Sequence, residues 1–323
     1  MSLAILNPGG SDPEQLFPDG AGAPESPGHA PVNYHAYAAC TRGGFFREAA
    51  RIPATMNQVL VLLRRDLRPA LEAVRALRNQ GKTVAISWKE SGPFQIAGQL
   101  ATPTAQQLFR EVCALAQGAL ASTPEAEPFY REAGARIVTY LPTPYPVDDP
   151  RWDFSRPLAD RSGIFLGTRE WRVPSRRHEQ ALREALALGV PVTVVNEGRW
   201  LRGWLNARKL RALGVPRERI LRRKSYPEYL RAMARCRVVF QRDASAVPGQ
   251  IAGDALLCRL PCVGGNGAVD REAFAGMIDA ALLLRDDAAW QAAVGESQER
   301  AQARLSFAAG AAQLRKFFEG LRA

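Results

Sequence analysis

Residues 245–265 read SAVPGQIAGDALLCRLPCVGG, which predicts a loop, a helix that starts at Gly249 and a tight return into a strand. A glycine at a helix start lets unpaired backbone N–H groups approach a phosphate closely. Asp254 follows about one and a half turns later, because a helix turns every ~3.6 residues, and its carboxylate could accept hydrogen bonds from ribose hydroxyls. The pattern is also typical of a structural turn followed by a solvated aspartate, and the spacing leaves both interpretations open.

Around this segment, apolar strand patterns alternate with amphipathic helix patterns. Strands are predicted at residues 4–6, 58–63, 83–87, 119–122, 137–141, 163–167, 190–195, 238–240 and 261–263. One of the predicted helices covers residues 66–81, with Leu71, Val74 and Leu77 on its apolar face. Strands that alternate with helices predict parallel sheets joined by right-handed crossovers, which is an α/β fold.

Residues with capping side chains mark the predicted helix boundaries. Asp66, Thr104 and Ser175 are each placed to cap the helix that follows them. In the last part of the chain, the pattern predicts one continuous helix over residues 270–284 and another from Asp287 to the end.

A proline-rich stretch divides the chain of 323 residues, which is long enough for two domains. Residues 142–150 (PTPYPVDDP) interrupt the alternation with four prolines, as linkers usually do. We therefore expect domains at residues 1–150 and 151–323. Residues 7–33 are rich in glycine, proline, aspartate and serine, and they predict a long irregular loop.

Composition and missing motifs exclude several classes. The sequence holds no run of eighteen apolar residues and no basic N-terminal stretch leading into an apolar one, so we expect no membrane span and no secretory signal. The five cysteines form no C-x-x-C pair, which favours buried, reduced thiols, no metal site and a cytoplasmic location. A serine hydrolase, a nicotinamide enzyme and a P-loop enzyme are disfavoured, because their G-x-S-x-G, strand-borne G-x-G-x-x-G and P-loop lysine motifs are missing.

The positive charge is concentrated in the second half of the chain. Residues 156–323 hold 29 lysines and arginines against 17 acids, and residues 199–224 hold ten against Glu218 alone. Trp200 and Trp204 interleave with these cations. Such a segment is typical of a solvated basic helix, and a membrane surface or lipid-linked acceptor is the next interpretation. Nucleic acid comes third, because no nucleic-acid-binding signature accompanies the charge.

The 245–265 segment resembles the donor-site motif of the retaining GT-B glycosyltransferases, the large family numbered four. That motif has a glutamate, a glycine-rich turn and a second glutamate eight residues after the first, followed by an alanine-rich helix and a Gly-x-Pro-Val-Val-Gly return. Gly249 stands at the phosphate-loop glycine and Asp254 at the second glutamate, while residues 259–264 (RLPCVG) cover the return. Ala246 stands where the first glutamate would be, so the sequence departs from the family there.

The resemblance implies two Rossmann-like domains with parallel sheets facing across a cleft, the GT-B fold. It implies that the second domain binds the donor and the first binds the acceptor. It also implies that the last helix, about residues 300–323, crosses back to the first domain. A weaker match begins at Gly167, where the arginines that follow would place cations on the diphosphate, and arginine forks well onto phosphate oxygens.

The candidate site residues lie at the ends of predicted strands or near the starts of predicted helices. Glu90 and Lys89 follow a predicted strand, where Glu90 could orient a hydroxyl group and Lys89 could meet a phosphate, although a surface pair is the simpler interpretation. His35 is expected to be a hydrogen-bonded structural group. The candidate catalytic residues are Arg169, Arg177 and Glu90, and the candidate donor-binding residues are Pro248, Gly249, Gln250, Asp254, Arg176, Gly9 and Gly10.

We therefore expect a glycosyltransferase that moves a sugar from a UDP- or GDP-sugar to an acceptor hydroxyl in bacterial-type glycan or glycolipid synthesis. The resemblance implies retention of anomeric configuration. No metal or other cofactor is expected, since no Asp-x-Asp stands at a predicted strand end. The expected partners are the nucleotide-sugar and a glycan, lipid-linked or small-molecule acceptor, with peripheral contact at the inner membrane surface and no specific nucleic acid. A non-catalytic relative that binds a nucleotide-sugar or an anionic surface, and a nucleotide-sugar epimerase, are the alternatives.

Overall fold

The chain divides into two compact units. The computed structural model describes residues 1–89, 92–167, 173–196, 200–222, 224–277 and 279–322, with the backbone alone at positions 200 and 202. The first unit comprises Met1–Asp149, Ala246–Pro248 and Ala303–Ala323, and the second comprises Pro150–Ser245 and Gly249–Gln302.

Strands and helices alternate along most of the chain. The strands are β1 Leu3–Leu6, β2 Gln15–Leu16, β3 Gly44–Phe46, β4 Gln58–Leu63, β5 Thr83–Trp88, β6 Gly118–Ala121, β7 Val138–Tyr140, β8 Ile164–Leu166, β9 Val192–Asn196, β10 Ile220–Arg222, β11 Val238–Phe240 and β12 Cys262–Val263. The helices are α1 Tyr34–Cys40, α2 Arg68–Asn79, α3 Pro93–Gln99, α4 Pro103–Leu115, α5 Glu127–Glu132, α6 His178–Ala187, α7 Trp200–Ala212, α8 Tyr226–Met233, α9 Gln250–Leu257, α10 Ala268–Ala273, α11 Ala280–Arg285, α12 Asp287–Arg304 and α13 Phe307–Gly320.

Each unit is built on one sheet. Within the described residues, the first sheet has seven strands in the order β2-β3-β1-β4-β5-β6-β7, and the second has five in the order β10-β9-β8-β11-β12. The paired strands run parallel, except that β2 and β3 are antiparallel. The prediction of an α/β fold with two parallel sheets is therefore confirmed.

The apolar run of β4 explains how the first unit is layered. Successive side chains of a strand point to opposite faces of the sheet. Val59, Val61 and Leu63 pack into the core with α2 and α4. Leu60 and Leu62 pack into the other core, to which α1 and α13 contribute. Helices therefore cover both faces of this sheet.

Proline and backbone conformation move two helix starts away from their predicted positions. Thr102, and not Thr104, caps α4, and its hydroxyl accepts a hydrogen bond from the amide of Ala105 at 3.2 Å. Pro103 favours this start, because proline fits the first helical position. A 3₁₀ turn occupies residues 174–176, and α6 begins only after Arg177, whose φ of 48° is left-handed. The predictions of caps at Thr104 and Ser175 were therefore wrong.

The predicted helix over residues 270–284 is divided into α10 and α11. Gly276 lies between them with a φ of 86°, a conformation that a helix cannot continue. Asp279 then starts α11, because its carboxylate accepts a hydrogen bond from the amide of Leu282 at 2.9 Å. The helical residues were recognised, but the break between the two helices was missed.

The C-terminal helix α13 packs against α1 within the first unit. Its first turn is held by two side chains. Ser306 accepts a hydrogen bond from the amide of Ala309 at 3.1 Å, and Asp148 accepts from the amides of Phe307 and Ala308 at 3.3 and 3.0 Å. Asp148, from the proline-rich stretch, therefore has a structural role at the start of α13.

Candidate functional site

The second sheet reverses its strand order between β8 and β11. The chain runs from β8 to β9 and β10 on one side and then to β11 and β12 on the other. Ligands of open parallel sheets bind at the carboxyl ends of the strands beside such a switch point. Gly167 follows β8, and a Cβ atom there would lie 2.9 Å from Cγ2 of Ile251. The glycine thus lets the first turn of α9 come close to the end of β8.

Gly249 is the N-cap of α9, with a φ of 86°. A Cβ atom at this position would lie 2.9 Å from Oδ2 of Asp270, so both conformation and space favour glycine. Gln250 is the first helical residue, and Pro248 precedes the cap in sequence, although it groups with the first unit. The positive end of the α9 dipole is therefore at Gly249, as an anion site at a helix start requires.

The corner that follows β8 packs directly against the segment that leads to α9. The amide of Ala244 donates to the carbonyl oxygen of Ser175 at 2.8 Å, and the hydroxyls of Ser175 and Ser245 are also 2.8 Å apart. Both segments belong to the second unit. The turn that carries Arg176 and Arg177 and the loop before Gly249 therefore lie together.

The two described arginines of this corner differ in environment. Arg176 forms an ion pair with the buried carboxylate of Asp243, whose other oxygen accepts from the amide of Ser245 at 2.8 Å. Arg177 has an exposed side chain. The ion pair offsets the charge of Arg176, so a bound anion would compete with Asp243 for that guanidinium group. Arg169 lies outside the described residues.

Asp254 is fully buried, which the sequence did not predict. Its Oδ1 accepts a hydrogen bond from the hydroxyl of Tyr226 at 2.5 Å. Tyr226 begins α8 behind a capping box formed by Ser225 and Glu228. The structure thus ties the carboxylate to α8, and a role in binding ribose stays a prediction.

Asp270 is a buried carboxylate beside Gly249 that the sequence analysis did not single out. Its Oδ1 accepts a hydrogen bond from Nε2 of Gln241 at 2.7 Å and lies 3.8 Å from Sγ of Cys262. Burial, followed by the charge of Asp243, raises the pKa of Asp270 to about 7. The sequence could have identified Asp270 as an acid in the first turn of the helix that follows the return strand. Its proximity to Gly249, however, depends on the fold.

The first sheet has its own switch point between β1 and β4. The predicted Gly9 and Gly10 follow β1 in a turn closed by the amide of Gly10, which donates to the carbonyl oxygen of Asn7 at 3.1 Å. Gly9 has a φ of 69°, and a Cβ atom on Gly10 would overlap the side chain of Asn7. Both glycines are therefore needed for the turn itself. Glu90, expected near this edge, lies outside the described residues.

Charged side chains gather at the same edge of the first sheet. Nζ of Lys89, after β5, lies 2.8 Å from Oδ2 of Asp12, and Nη1 of Arg64, after β4, lies 3.9 Å from it. Nδ2 of Asn7 donates to the same oxygen at 2.5 Å. Partial burial opposes ionisation of Asp12, but the hydrogen bond and charge of Lys89 outweigh it, and the pKa is lowered. Lys89 therefore has an ion-pair partner from the loop after β1, which the sequence did not reveal.

His35 has a structural environment. Its ring stacks between Phe45 and His29, with centroid distances of 3.9 and 4.0 Å, and its Nε2 lies 2.9 Å from the carbonyl oxygen of Pro13. Burial and then the charge of His29 lower the pKa of His35 to about 4. The prediction of a hydrogen-bonded structural histidine is confirmed.

The described residues offer neither a metal-binding cluster nor a helix that could span a membrane. Within the ranges that the structure describes, no group of three or more histidine, cysteine, aspartate or glutamate side chains could hold a metal ion. In the same ranges, none of the helices combines the length and the apolar character needed to cross a bilayer. All five cysteines are free thiols, and four of them are buried.

Comparison with known proteins relates the chain to solved glycosyltransferases through its fold. No family model and no curated protein sequence matches it. Anabaena HepE, solved in complex with UDP and glucose, is similar with a TM-score of 0.55 at 16% identity, over 83% of this chain and 79% of that one. The UDP-forming α,α-trehalose-phosphate synthase of Burkholderia xenovorans is similar with a TM-score of 0.60 at 12% identity, over 85% and 79%. The α,α-trehalose 6-phosphate synthase of Burkholderia multivorans gives 0.58 at 12% identity, over 90% and 76%. The chain therefore has the GT-B fold, as its resemblance to that family implied.

Proposed function

We propose that the protein is a glycosyltransferase that moves a sugar from a nucleoside diphosphate donor to an acceptor hydroxyl. The observation that carries the proposal is the packing of the Ser175–Arg177 turn against residues 243–245 at the switch point of the second sheet. Because Arg176 and Arg177 belong to this turn and residues 243–245 lead into α9, a diphosphate at the start of α9 would have cations and a helix dipole available to it. The GT-B fold supports the same activity.

In this proposal, the protein acts on the charge that develops on the departing diphosphate. The bond between the anomeric carbon and the phosphate oxygen breaks as the acceptor oxygen bonds to that carbon, and the acceptor proton leaves with the diphosphate. Amides at Gly249 and Gln250 and the guanidinium groups of Arg176 and Arg177 would stabilise the negative charge. Arg176 would exchange its Asp243 partner for the diphosphate. Arg169 would add a further cation.

The donor chemistry follows from the resemblance and the fold. We propose retention of anomeric configuration without a metal or other cofactor, and a UDP- or GDP-sugar as donor. UDP is the first ligand to test, because HepE was solved with UDP and glucose. Asp254 would contact the ribose only if its hydrogen bond with Tyr226 rearranges, since the carboxylate is buried.

The first unit would take the acceptor at the carboxyl edge of its sheet, with Glu90 orienting a hydroxyl, while Gly9 and Gly10 at the same edge would approach the diphosphate of the donor. A glycan, a lipid-linked sugar and a small molecule are all acceptors of suitable chemistry. The five free thiols support a reducing cytoplasmic location. Contact with the inner membrane surface is part of the proposal, and its structural basis is a separate surface of the second unit.

Two observations favour a second candidate, a non-catalytic relative that binds a nucleotide-sugar. Ala246 stands where the resemblance places a glutamate, and Asp243 offsets the charge of Arg176. A protein of this kind would bind the diphosphate but lack groups needed to complete the transfer. A nucleotide-sugar epimerase of the same architecture is distinguished by its product.

Calorimetry with UDP and GDP is the first test, followed by incubation with a panel of nucleotide-sugars. Binding of either nucleotide, with Arg176→Gln weakening it and the exposed control Arg183→Gln not, supports the assigned site. Absence of binding to both nucleotides removes the main proposal. Tight binding without turnover supports the non-catalytic candidate, and an epimerised sugar supports the epimerase.

A further inference from the structure

Helix α7 of the second unit exposes three large apolar side chains on one face. Leu201, Trp204 and Leu205 are 68, 53 and 49% exposed. Their spacing of three and four residues places them together on the helix surface. Leu210 projects from the opposite face and is 1% exposed, so it anchors the helix to the unit. The exposed apolar stripe is therefore the outer face of a docked helix.

Cations continue this face toward the C-terminal end of α7. Arg208 is exposed one turn after Trp204, and its guanidinium carbon lies 5.7 Å from the centroid of the Trp204 ring. Arg211 is exposed beside it. Lys209 is exposed as well, but its Nζ lies 2.6 Å from Oε2 of Glu179, so its charge is partly offset. Exposed cations follow the helix at Arg217, Arg222 and Lys224.

We propose that the α7 face, defined as Leu201, Trp204, Leu205, Arg208 and Arg211, docks on an anionic lipid bilayer. Leucine and tryptophan side chains enter the boundary between head groups and acyl chains, while neighbouring cations bind anionic head groups. A nucleic acid would pair its phosphates with the cations of the α7 face but would leave the two leucines and the tryptophan against a polar sugar–phosphate backbone. Protein–nucleic acid interfaces are polar and positively charged, whereas three of the five residues of the α7 face are apolar. This inference assigns the surface that makes the membrane contact proposed above, and it does not depend on the catalytic activity.

The small size of the α7 face predicts reversible binding that depends on charge. Sedimentation of the full chain with vesicles of phosphatidylcholine and phosphatidylglycerol should show binding that falls as salt rises. Vesicles of phosphatidylcholine alone should bind far less. Each cation near an anionic surface contributes a roughly fivefold change in affinity, so Arg208→Gln with Arg211→Gln should weaken binding roughly 25-fold. Trp204→Ser with Leu205→Ser should also abolish most of it.

A matched control is available on α11 of the same unit. Leu282 is 48% exposed, close to the value for Leu205, and Arg285 is exposed beside it. Leu282→Ser with Arg285→Gln removes the same kinds of group from another surface, and this variant should bind vesicles as the unaltered protein does.

Three results would overturn the assignment. They are equal binding to vesicles with and without phosphatidylglycerol, unchanged binding by both α7 variants, and binding of duplex DNA or RNA without binding of vesicles. The substituted side chains are exposed, so circular dichroism and thermal unfolding should confirm that all the variants fold.

Discussion

Oδ2 of Asp270 lies 2.9 Å from the position that a Cβ atom would take on Gly249. Gly249, which we propose to lie at the donor site, therefore packs against a buried carboxylate that belongs to α10. The close approach places a titratable group directly under the proposed diphosphate site. The conformation at Gly249 and the protonation state of Asp270 are therefore coupled. Substitution of Gly249 should act through backbone strain, and substitution of Asp270 should act through charge.

Gly249→Ala should weaken both folding and UDP binding. The φ of 86° costs an L-residue about 1–2 kcal/mol, and the new methyl group would press on Asp270. If the free loop relaxes to relieve this strain, UDP binding has to restore it, and a cost of that size corresponds to a roughly tenfold loss of affinity. Calorimetry with UDP and urea unfolding measure the two effects.

The control for this variant is Gly295→Ala, in the middle of α12. A Cβ atom there would meet no other atom within 4 Å, so the change should stabilise the protein by up to about 1 kcal/mol. Unchanged UDP affinity in Gly249→Ala would contradict a donor site at this loop.

The free energy of unfolding of Asp270→Asn, compared with that of the unaltered protein, should increase as the pH rises. The folded protein keeps the proton of Asp270 up to about pH 7, whereas the unfolded chain releases it near the ordinary pKa of 3.8. The stability that this group contributes is therefore fully present below pH 3.8 and is lost as the pH rises through about 7. The loss amounts to about 1 kcal/mol per pH unit across the window.

Urea unfolding at pH 5 and pH 8 measures this effect. Asparagine resembles the protonated acid, so the stability difference between variant and unaltered protein should widen between the two pH values. Glu132→Gln, which removes an exposed acid from the first unit, should show no such widening. Parallel behaviour of Asp270→Asn and the unaltered protein would rule out the raised pKa of Asp270.

The longer strands could be predicted from the sequence, because their apolar runs report burial on both faces of a sheet. β4 and β5 are of this kind. β2, β3 and β10 escaped prediction, because their short sequences QL, GFF and ILR do not stand out from glycine-, proline- or arginine-rich surroundings and each strand is ordered by a neighbouring strand. β10 also lies in the basic segment, where the arginines around Ile220 and Leu221 leave no apolar run that would indicate a strand.

The helix start at Gly249 was predictable from the sequence, but the contacts of the carboxylates around the candidate site were not. Gly249 was recognisable because a glycine at a helix start reports on the local backbone, where it permits a positive φ and close approach of a ligand. The ion pair of Arg176 with Asp243 and the contact of Asp12 with Lys89 join residues 67 and 77 positions apart. Pairs of this kind depend on which strand ends meet, and a single sequence does not contain that information.

Tyr226→Phe should destabilise the second unit by about 1–3 kcal/mol, because it leaves the buried Asp254 without the 2.5 Å hydrogen bond from the tyrosine hydroxyl. A double-mutant cycle with Asp254→Asn separates this hydrogen bond from other effects of the two changes. Coupling near zero in urea unfolding would show that the contact contributes nothing. If Asp254 also binds ribose, Asp254→Asn should lower UDP affinity more than Tyr226→Phe does.

Asp148→Ala should loosen the C-terminal helix from the first unit. The carboxylate accepts hydrogen bonds from the amides of Phe307 and Ala308 and lies at the positive end of α13. Its loss should cost about 1 kcal/mol, and Ser306→Ala should cost a similar amount. Glu319→Ala removes an acid from the opposite end of α13, where the helix dipole disfavours negative charge, so it should be neutral or slightly stabilising. Thermal unfolding distinguishes these outcomes, and a destabilised Glu319→Ala beside an unaffected Asp148→Ala would contradict the capping role.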